Sequence, residues 1–243
     1  LTANLVRDTL AAGHGSVSGG IYVTATVGSG FPGDTVTGLG MSTHVDVVVQ
    51  VAAHAGQMES LDALLDAAYA RFGRIDILIN NAGTNPVTAG LSDLTPELFQ
   101  KVFEVNTKGP WYLASRAAPR MAQHGGGSII NVISVGGLKP PAYQGFYAGS
   151  KAALHALTKV MAAEWAHMGI RVNAIAPGSY HSDLFDVSAA QLPGFEEGSK
   201  AACVQKRIAE TDEILGPVMY LASDMSSYTT GATLVADGGY LVL

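Results

Sequence analysis

The chain has 243 residues, a net charge of −6 at pH 7, and 48% hydrophobic against 14% charged residues. Such a length suits one α/β domain with one large core, and the negative charge argues against a nucleic-acid partner. The single cysteine, Cys203, excludes an intramolecular disulfide, and we see neither a run of about 18 apolar residues nor a secretory signal. We therefore expect a cytoplasmic protein with no membrane partner.

The first 56 residues do not fit a regular α/β pattern well. A strand over about 5–12, a tight turn over 13–20 and a strand over about 45–51 are expected there, because the later strands need neighbours in their sheet. The stretch from Gly20 to Gly40, however, is rich in Gly, Thr, Val and Ser, which are poor helix formers. Either this end of the protein is unusual, or the residue identities recorded there are wrong.

From Met58 onward, helical and strand patterns alternate. Helices are predicted over 58–72, over 95–122 with a bend at Gly109-Pro110, and over 147–168, and strands over 75–80, 128–133, 170–176 and 233–236. This alternation predicts right-handed βαβ crossovers and a doubly wound parallel sheet with helices on both faces, in a single domain over 1–243. The segment at about 178–210 is too long for an ordinary connection and predicts a lid, with a disordered surface insertion as the alternative.

Tyr147 and Lys151 lie four residues apart, so on a helix they share one face. A cation about 4 Å from a phenolic oxygen, at an effective dielectric constant near 20, favours the phenolate by roughly 4 kcal/mol. That would lower the pKa of Tyr147 towards neutrality, where a general acid or base works best. Helices also carry such pairs merely to cover apolar surface.

Further polar motifs lie near the ends of predicted strands, where open α/β sheets bind ligands. Ser134 ends the strand over 128–133, Asn80-Asn81-Ala82-Gly83 ends the strand over 75–80, and Pro177-Gly178 follows the strand over 170–176. Asn106 lies within a long helical pattern whose apolar periodicity does not account for a polar amide side chain at this position. Each motif is routine alone, as Asn-Gly-type turns and Pro-Gly stops are common.

Together with Asp237-Gly238-Gly239, these motifs resemble the classical short-chain dehydrogenase/reductase family over residues 57–243. The resemblance implies a Rossmann-type dinucleotide-binding and catalytic domain. It also implies an NAD(P)-dependent oxidoreductase that transfers a hydride between nicotinamide and a secondary alcohol or ketone. A small-molecule alcohol or ketone is then the expected substrate, and no metal is implied.

The resemblance also assigns roles to the catalytic motif. Tyr147 would exchange a proton with the substrate oxygen, and Ser134 would hydrogen-bond that oxygen. Lys151 would lower the pKa of Tyr147 and bind the nicotinamide ribose. Asn106 would position a water that links Lys151 to solvent.

The expected cofactor-binding residues, besides Tyr147 and Lys151, are Gly15, Gly19, Asn81, Ala82, Gly83, Pro177, Gly178 and Ser182. The family's Thr-Gly-x3-Gly-x-Gly pattern is matched at only two glycines of the stretch 14–21, because Ile21 replaces the third. Ser182 keeps the hydroxyl of the more frequent Thr. NAD is slightly favoured over NADP, because Asp34 lies about 20 residues after Gly15, where an acidic group would bind a ribose hydroxyl.

Two further expectations concern the substrate pocket and the assembly. Five side chains could shape a mostly apolar pocket or could be ordinary packing: Tyr143, His181, Phe185, Leu192 and Phe195. The helices over 95–122 and 147–168 carry more small residues than one sheet face can bury, which predicts pairing about twofold axes and a homotetramer. Two alternatives stay open for the function: a catalytically silent dinucleotide-binding scaffold, and a dehydratase or epimerase on the same fold.

Overall fold

The computed structural model describes residues 53–87 and 90–243. The strands expected over 5–12 and 45–51 and the turn over 13–20 lie outside the described residues. The helices and strands are α1 (Met58–Phe72), β1 (Ile77–Asn80), α2 (Pro96–Phe103), α3 (Gly109–Ala122), β2 (Gly127–Val132), α4 (Gly145–Trp165), β3 (Ile170–Pro177), α5 (Asp183–Gln191), α6 (Phe195–Ala201), α7 (Leu215–Ala222) and β4 (Thr233–Ala236).

The described strands form one parallel sheet in the order β1-β2-β3-β4. Leu78 pairs with Ile129, which pairs in turn with Val172, so the first three strands are in register across the sheet. The carboxyl ends of these strands therefore meet at one edge. This confirms the predicted parallel sheet of a single α/β domain.

Both faces of the sheet are covered, because successive side chains of a strand point to opposite sides. On one face Leu78, Ile129 and Val172 are buried in a cluster with residues of α1, α3 and α4. On the other face Ile130 and Ile175 are buried in a cluster to which α7 contributes. Helices on both faces were expected from the alternation of elements, and the structure confirms them.

The long helix predicted over 95–122 is interrupted in the structure just before the place where a bend was predicted. Thr95 caps its start by accepting a hydrogen bond from the Leu98 N–H at 3.2 Å. A π-helical turn, Glu104–Lys108, then separates α2 from α3, where a bend at Gly109-Pro110 was predicted. A Cβ on Gly109 would lie 2.1 Å from the Ala55 carbonyl oxygen, so the glycine serves close packing against that backbone.

The segment over 178–210 contains two helices, α5 and α6. Ser182 caps α5 by accepting a hydrogen bond from the Phe185 N–H at 3.3 Å. The Phe185 ring packs against Phe195 of α6, with centroids 5.2 Å apart. The disordered insertion considered for this segment is therefore wrong.

No helix in the described part of the chain is both long and apolar enough to span a membrane.

Candidate active site

Tyr147 and Lys151 lie in the first two turns of α4, beside the turn that follows β2. That turn is the 3-10 segment Val135–Gly137, which begins after Ser134. A Cβ on Gly137 would lie 2.9 Å from the backbone of Lys151 and Ala152, so only a glycine allows α4 to come this close. The turn thus places Ser134 next to the first turn of α4.

The Ser134 side chain lies beside the Tyr147 ring, since Ser134 Oγ and Tyr147 Cε1 are 3.5 Å and 3.7 Å from the position that a Cβ on Gly136 would take. Ser134 Oγ also accepts a hydrogen bond from the Gly136 N–H at 3.1 Å, which fixes its direction. Burial raises the pKa of Tyr147, and the nearby Ser134 hydroxyl opposes that rise. At neutral pH, Tyr147 is therefore a phenol that can donate a proton.

Lys151 is buried, and its ammonium group donates a hydrogen bond to the Val132 carbonyl oxygen at 2.8 Å. Burial lowers the pKa of Lys151 to about 8, because the charged form loses its hydration. Its nitrogen lies 5.9 Å from the centroid of the Tyr147 ring. Lys151 therefore shares a face with Tyr147, as the spacing predicts.

The expected lowering of the Tyr147 pKa is wrong, because the structure raises that pKa. The expectation counted only the attraction between a phenolate and a cation, whereas burial of the phenol acts in the opposite direction and is the larger effect. The lysine ammonium is also directed to a main-chain oxygen at the end of β2.

Asn106 is fully buried in the π-helical turn, and its side chain holds the loop that follows β1. Its Oδ1 accepts from the Thr84 N–H at 2.8 Å, and its Nδ2 donates to the Thr84 carbonyl oxygen at 2.9 Å. The same Nδ2 donates to Ser150 Oγ at 3.0 Å, and Ser150 in turn donates to the Tyr147 carbonyl oxygen at 2.7 Å. The side chain thus connects the β1 loop to α4, and the expected role in positioning a water stays a prediction.

Asn80, the first residue of the Asn-Asn-Ala-Gly motif, lies in the core. Its Nδ2 donates to Asn131 Oδ1 at 2.8 Å and to the Pro110 carbonyl oxygen at 3.3 Å. Asn131 donates onward to Thr158 Oγ1 at 2.9 Å. This buried chain ties β1 and β2 to α3 and α4, so Asn80 positions the loop that begins at the next residue.

The other expected cofactor residues in the described part of the chain lie at the same sheet edge. Asn81, Ala82 and Gly83 directly follow β1, and Pro177 and Gly178 lie at the end of β3. A Cβ on Gly83 would lie 3.2 Å from Lys151 Nζ and 3.6 Å from Asn106 Oδ1. A side chain at position 83 would therefore crowd the Lys151 ammonium, and the residues at this edge fit a nicotinamide cofactor.

Gly178 has a packing role as well, because a Cβ there would lie 2.7 Å from the Cα atom of Asp237. Ser182 is the cap of α5, so its hydroxyl is already engaged. Gly15 and Gly19 lie outside the described residues. Within the described residues, no group of three His, Cys, Asp or Glu side chains could hold a metal ion.

Three residues at this edge have no sequence pattern that marks them: Thr84, Gln144 and Ser150. Thr84 is held by its main chain, which any residue other than proline offers. Ser150 and Gln144 lie within a few positions of Tyr147, and that proximity is the signal that could have found them.

Comparisons with known proteins agree with this arrangement. A family model described as enoyl-(acyl carrier protein) reductase matches residues 22–241. A dehydrogenase/reductase SDR family member 4 from Bos taurus is 37% identical over 207 residues, which cover 85% of this chain and 72% of that protein. An L-rhamnose 1-dehydrogenase (NAD(P)(+)) from Azotobacter vinelandii is 37% identical over 195 residues, which cover 80% of this chain and 75% of the relative.

Solved structures show the same similarity in three dimensions. A short-chain type dehydrogenase/reductase from Mycobacterium marinum has a TM-score of 0.74 at 34% identity, with 79% of this chain and 75% of that chain covered. A gluconate 5-dehydrogenase from Burkholderia cenocepacia, in complex with NADP and tartrate, has a TM-score of 0.73 at 33% identity. That match covers 78% of this chain and 73% of that chain.

Proposed function

The chain belongs to the short-chain dehydrogenase/reductase family and is an NAD(P)-dependent oxidoreductase, and we propose that it interconverts a secondary alcohol and a ketone at the edge of the sheet occupied by Ser134, Tyr147 and Lys151. The observation that carries this proposal is the placement of Ser134 beside Tyr147 at the end of β2, with the Lys151 side chain buried on the same face of α4. Two hydroxyls that meet at the end of a parallel strand can both bind one substrate oxygen.

Each side chain contributes a separate step. When bound, the nicotinamide supplies or accepts the hydride. During reduction Tyr147 donates its proton to the carbonyl oxygen of the substrate, and during oxidation it takes that proton back. Ser134 hydrogen-bonds the same oxygen and stabilises the negative charge that develops on it. Lys151 stabilises the ionised form of Tyr147 once a bound substrate and cofactor reorganise the site.

The residues proposed to hold the cofactor are those of the β1 loop and the end of β3. Asn81, Ala82 and Gly83 would line one side, while Pro177, Gly178 and Ser182 would face the nicotinamide. Lys151 would also hydrogen-bond the nicotinamide ribose, since its buried ammonium lies close to Gly83. We favour NAD slightly over NADP on the position of Asp34, although the relatives named above are described with NAD(P)(+) or NADP.

The proposed substrates are small alcohols or ketones. Among similar proteins are an L-rhamnose 1-dehydrogenase, a gluconate 5-dehydrogenase and a levodione reductase. These names describe redox enzymes of small oxygenated molecules, and they favour a redox enzyme over a dehydratase or epimerase. A silent scaffold is disfavoured because such a protein has no need for the complete set of Asn106, Ser134, Tyr147 and Lys151.

A homotetramer is proposed for the assembly. An open groove of about 520 Å³ runs between α2, α3 and α4, and Phe99, Phe103 and Trp111 line it. Trp111 and, on α4, Val160 are exposed by 42% and 49%, and α4 also exposes small side chains at Ala156 and Ala163. A second copy packed about a twofold axis would cover this face.

A cytoplasmic location is proposed because the single cysteine suits a reducing compartment.

The segment over about 178–210 is proposed as the lid of this site within a single dinucleotide-binding and catalytic domain over 1–243. It begins at Gly178, next to the expected nicotinamide site, and its two helices are joined by the Phe185 and Phe195 rings. His181 packs edge-on against Phe185 at 5.8 Å between ring centroids. The aromatic contacts would let α5 and α6 move together.

The proposal is tested by Tyr147→Phe, with Tyr228→Phe as the matched control because Tyr228 is fully exposed. We expect Tyr147→Phe to lower turnover of a responsive alcohol or ketone by about a hundredfold or more. Cofactor affinity should change little, because phenylalanine preserves the packing. Turnover is followed by reduced-nicotinamide absorbance and cofactor affinity by fluorescence titration. Retention of a tenth or more of the wild-type rate would refute the assignment.

A further inference from the structure

A small cleft beside Tyr147 is built differently from the rest of the site. It lies between the β1 loop and the start of α4, and its walls include the apolar side chains of Leu98, Val102 and Phe146. Its polar lining comes from two primary amides, Asn85 and Gln144, in addition to Tyr147 itself. The cavity measures about 10 Å³, which is close to the least space that holds one water molecule or one hydroxyl group.

Both amides in this cleft lack hydrogen-bond partners among the described residues. In the part of the chain that the structure describes, neither side-chain amide makes a hydrogen bond, although both residues are half-buried. The buried asparagines in the described part of the chain behave differently, since their side chains all form hydrogen bonds: Asn80, Asn106, Asn131 and Asn173. Half-buried amides on an apolar wall are favourable only when a ligand or water completes their hydrogen bonds.

Gln144 also lies close to the side chains of Ser134 and Tyr147, whose hydroxyls are proposed to hold the reacting oxygen. The position that a Cβ on Gly136 would take is 3.7 Å from Gln144 Oε1, 3.5 Å from Ser134 Oγ and 3.7 Å from Tyr147 Cε1. The three side chains therefore surround one small volume. A group on the carbon adjacent to the reacting carbon would reach the amide of Gln144 while the reacting oxygen binds Ser134 and Tyr147.

We propose that Gln144, assisted by Asn85, selects substrates that carry a hydroxyl on the carbon next to the reacting one, namely vicinal diols in oxidation and α-hydroxy ketones in reduction. This inference rests on the proposed alcohol and ketone chemistry and deepens it. A hydroxyl both donates and accepts, so it can pair with an amide oxygen and an amide N–H at once. A hydrogen or methyl in its place would leave both amides unpaired, and sites of that kind discriminate strongly.

The reaction itself is unchanged for such a substrate. The carbon that is oxidised loses a hydride to the oxidised cofactor, and its hydroxyl loses a proton to the ionised Tyr147. The neighbouring hydroxyl stays intact, because its only role is to hydrogen-bond the two amides. Gln144 and Asn85 are thus specificity-determining residues.

The test compares cyclohexane-1,2-diol, as both its cis and trans isomers, with cyclohexanol as substrates of the full-length protein. The variants are Gln144→Leu and Gln144→Glu, with Gln123→Leu as the matched control on an exposed position at the end of α3. Gln144 makes no side-chain cap bond to α4, so its replacement should not unfold the helix. Thermal melting and cofactor titration check that each variant folds and binds its cofactor.

We expect the wild type to prefer one isomer of the diol over cyclohexanol in kcat/KM by about tenfold or more. Gln144→Leu should reduce that preference by about tenfold, mostly through slower reaction of the diol. Gln144→Glu should retain part of it, because a carboxylate still accepts from the hydroxyl, and Gln123→Leu should keep all of it.

An equal preference in the wild type and Gln144→Leu would overturn the inference. If the protein turned over other ketones or alcohols but neither cyclohexanediol nor cyclohexanol, the inference would also be overturned, while the proposed function would stand. If no compound of a broad alcohol and ketone panel were turned over, both the inference and the proposed function would fail.

Discussion

Asn106 is the residue whose removal should damage the candidate site most without touching the reacting groups. The substitution Asn106→Leu keeps nearly the same volume and removes three side-chain hydrogen bonds, two to Thr84 and one to Ser150. A neutral hydrogen bond contributes about 1 kcal/mol net, so about 3 kcal/mol is lost from these contacts. Because Asn106 is fully buried, groups that lose their partner there add to this cost, and we expect a total of about 3 to 5 kcal/mol.

The matched measurement uses Thr95→Ala as a reference for one exposed bond. The Thr95 side chain accepts one hydrogen bond, from the Leu98 N–H at the start of α2, and loss of such a cap costs about 1 kcal/mol. Free energies of unfolding are measured by urea titration at one protein concentration, since the proposed assembly would contribute to stability. If Asn106→Leu lost no more free energy of unfolding than Thr95→Ala, the argument that the Asn106 side chain holds the loop after β1 would be refuted.

The same substitution should also weaken cofactor binding. Thr84 directly follows Gly83, so release of its main chain would free the loop proposed to line the cofactor site. We expect the dissociation constant to rise by about tenfold, in a titration at a temperature where the variant is folded. A destabilised variant with unchanged cofactor affinity would show that the Asn106 hydrogen bonds serve the fold alone.

The remaining predictions concern charge, motion and assembly. Burial lowers the pKa of Lys151 to about 8 from its usual 10.5, so between these values the unfolded chain binds more protons, and the wild-type free energy of unfolding should rise from pH 8 towards pH 10. Lys151→Met should remove that rise, which amounts to up to about 3 kcal/mol. Equal slopes of the free energy of unfolding against pH in the wild type and in Lys151→Met would contradict the burial argument. Hydrogen exchange over 183–201 should slow when cofactor and a substrate analogue are added, and equal protection with and without them would count against the lid. Light scattering should give the mass of four chains for the wild type and less for Trp111→Asp, whereas a wild-type monomer at micromolar concentration would overturn the assembly.

The helices and strands were largely predictable because their patterns are local. The helix predicted over 58–72 has those bounds, and Gly73 ends it with a φ of 75° that favours glycine. The strand predicted over 75–80 begins two residues later, at Ile77, although Ile75 is fully buried. An apolar side chain marks burial, while strand bounds depend on which backbone groups find partners in the neighbouring strand.

The π-helical turn at Glu104–Lys108 could not be predicted from periodicity. Its cause is tertiary, because Asn106 hydrogen-bonds Thr84, which lies 22 residues earlier in the chain. An Asn within an apolar pattern signals only that its amide needs partners. The position of those partners follows from the packing of α3 and α4 against the sheet.

The charge state of Tyr147 and Lys151 could not be predicted from their spacing either. Spacing fixes which face the two side chains share, but burial decides which protonation state each prefers. With the pKa of Lys151 at about 8 and that of Tyr147 raised by burial, the protein at neutral pH holds an ammonium beside a phenol. This is the pair that reduction of a ketone needs, because the phenol already carries the proton to be donated. Oxidation has to begin from the phenolate, so it depends on how far the bound substrate and cofactor bring the Lys151 charge to bear on that oxygen.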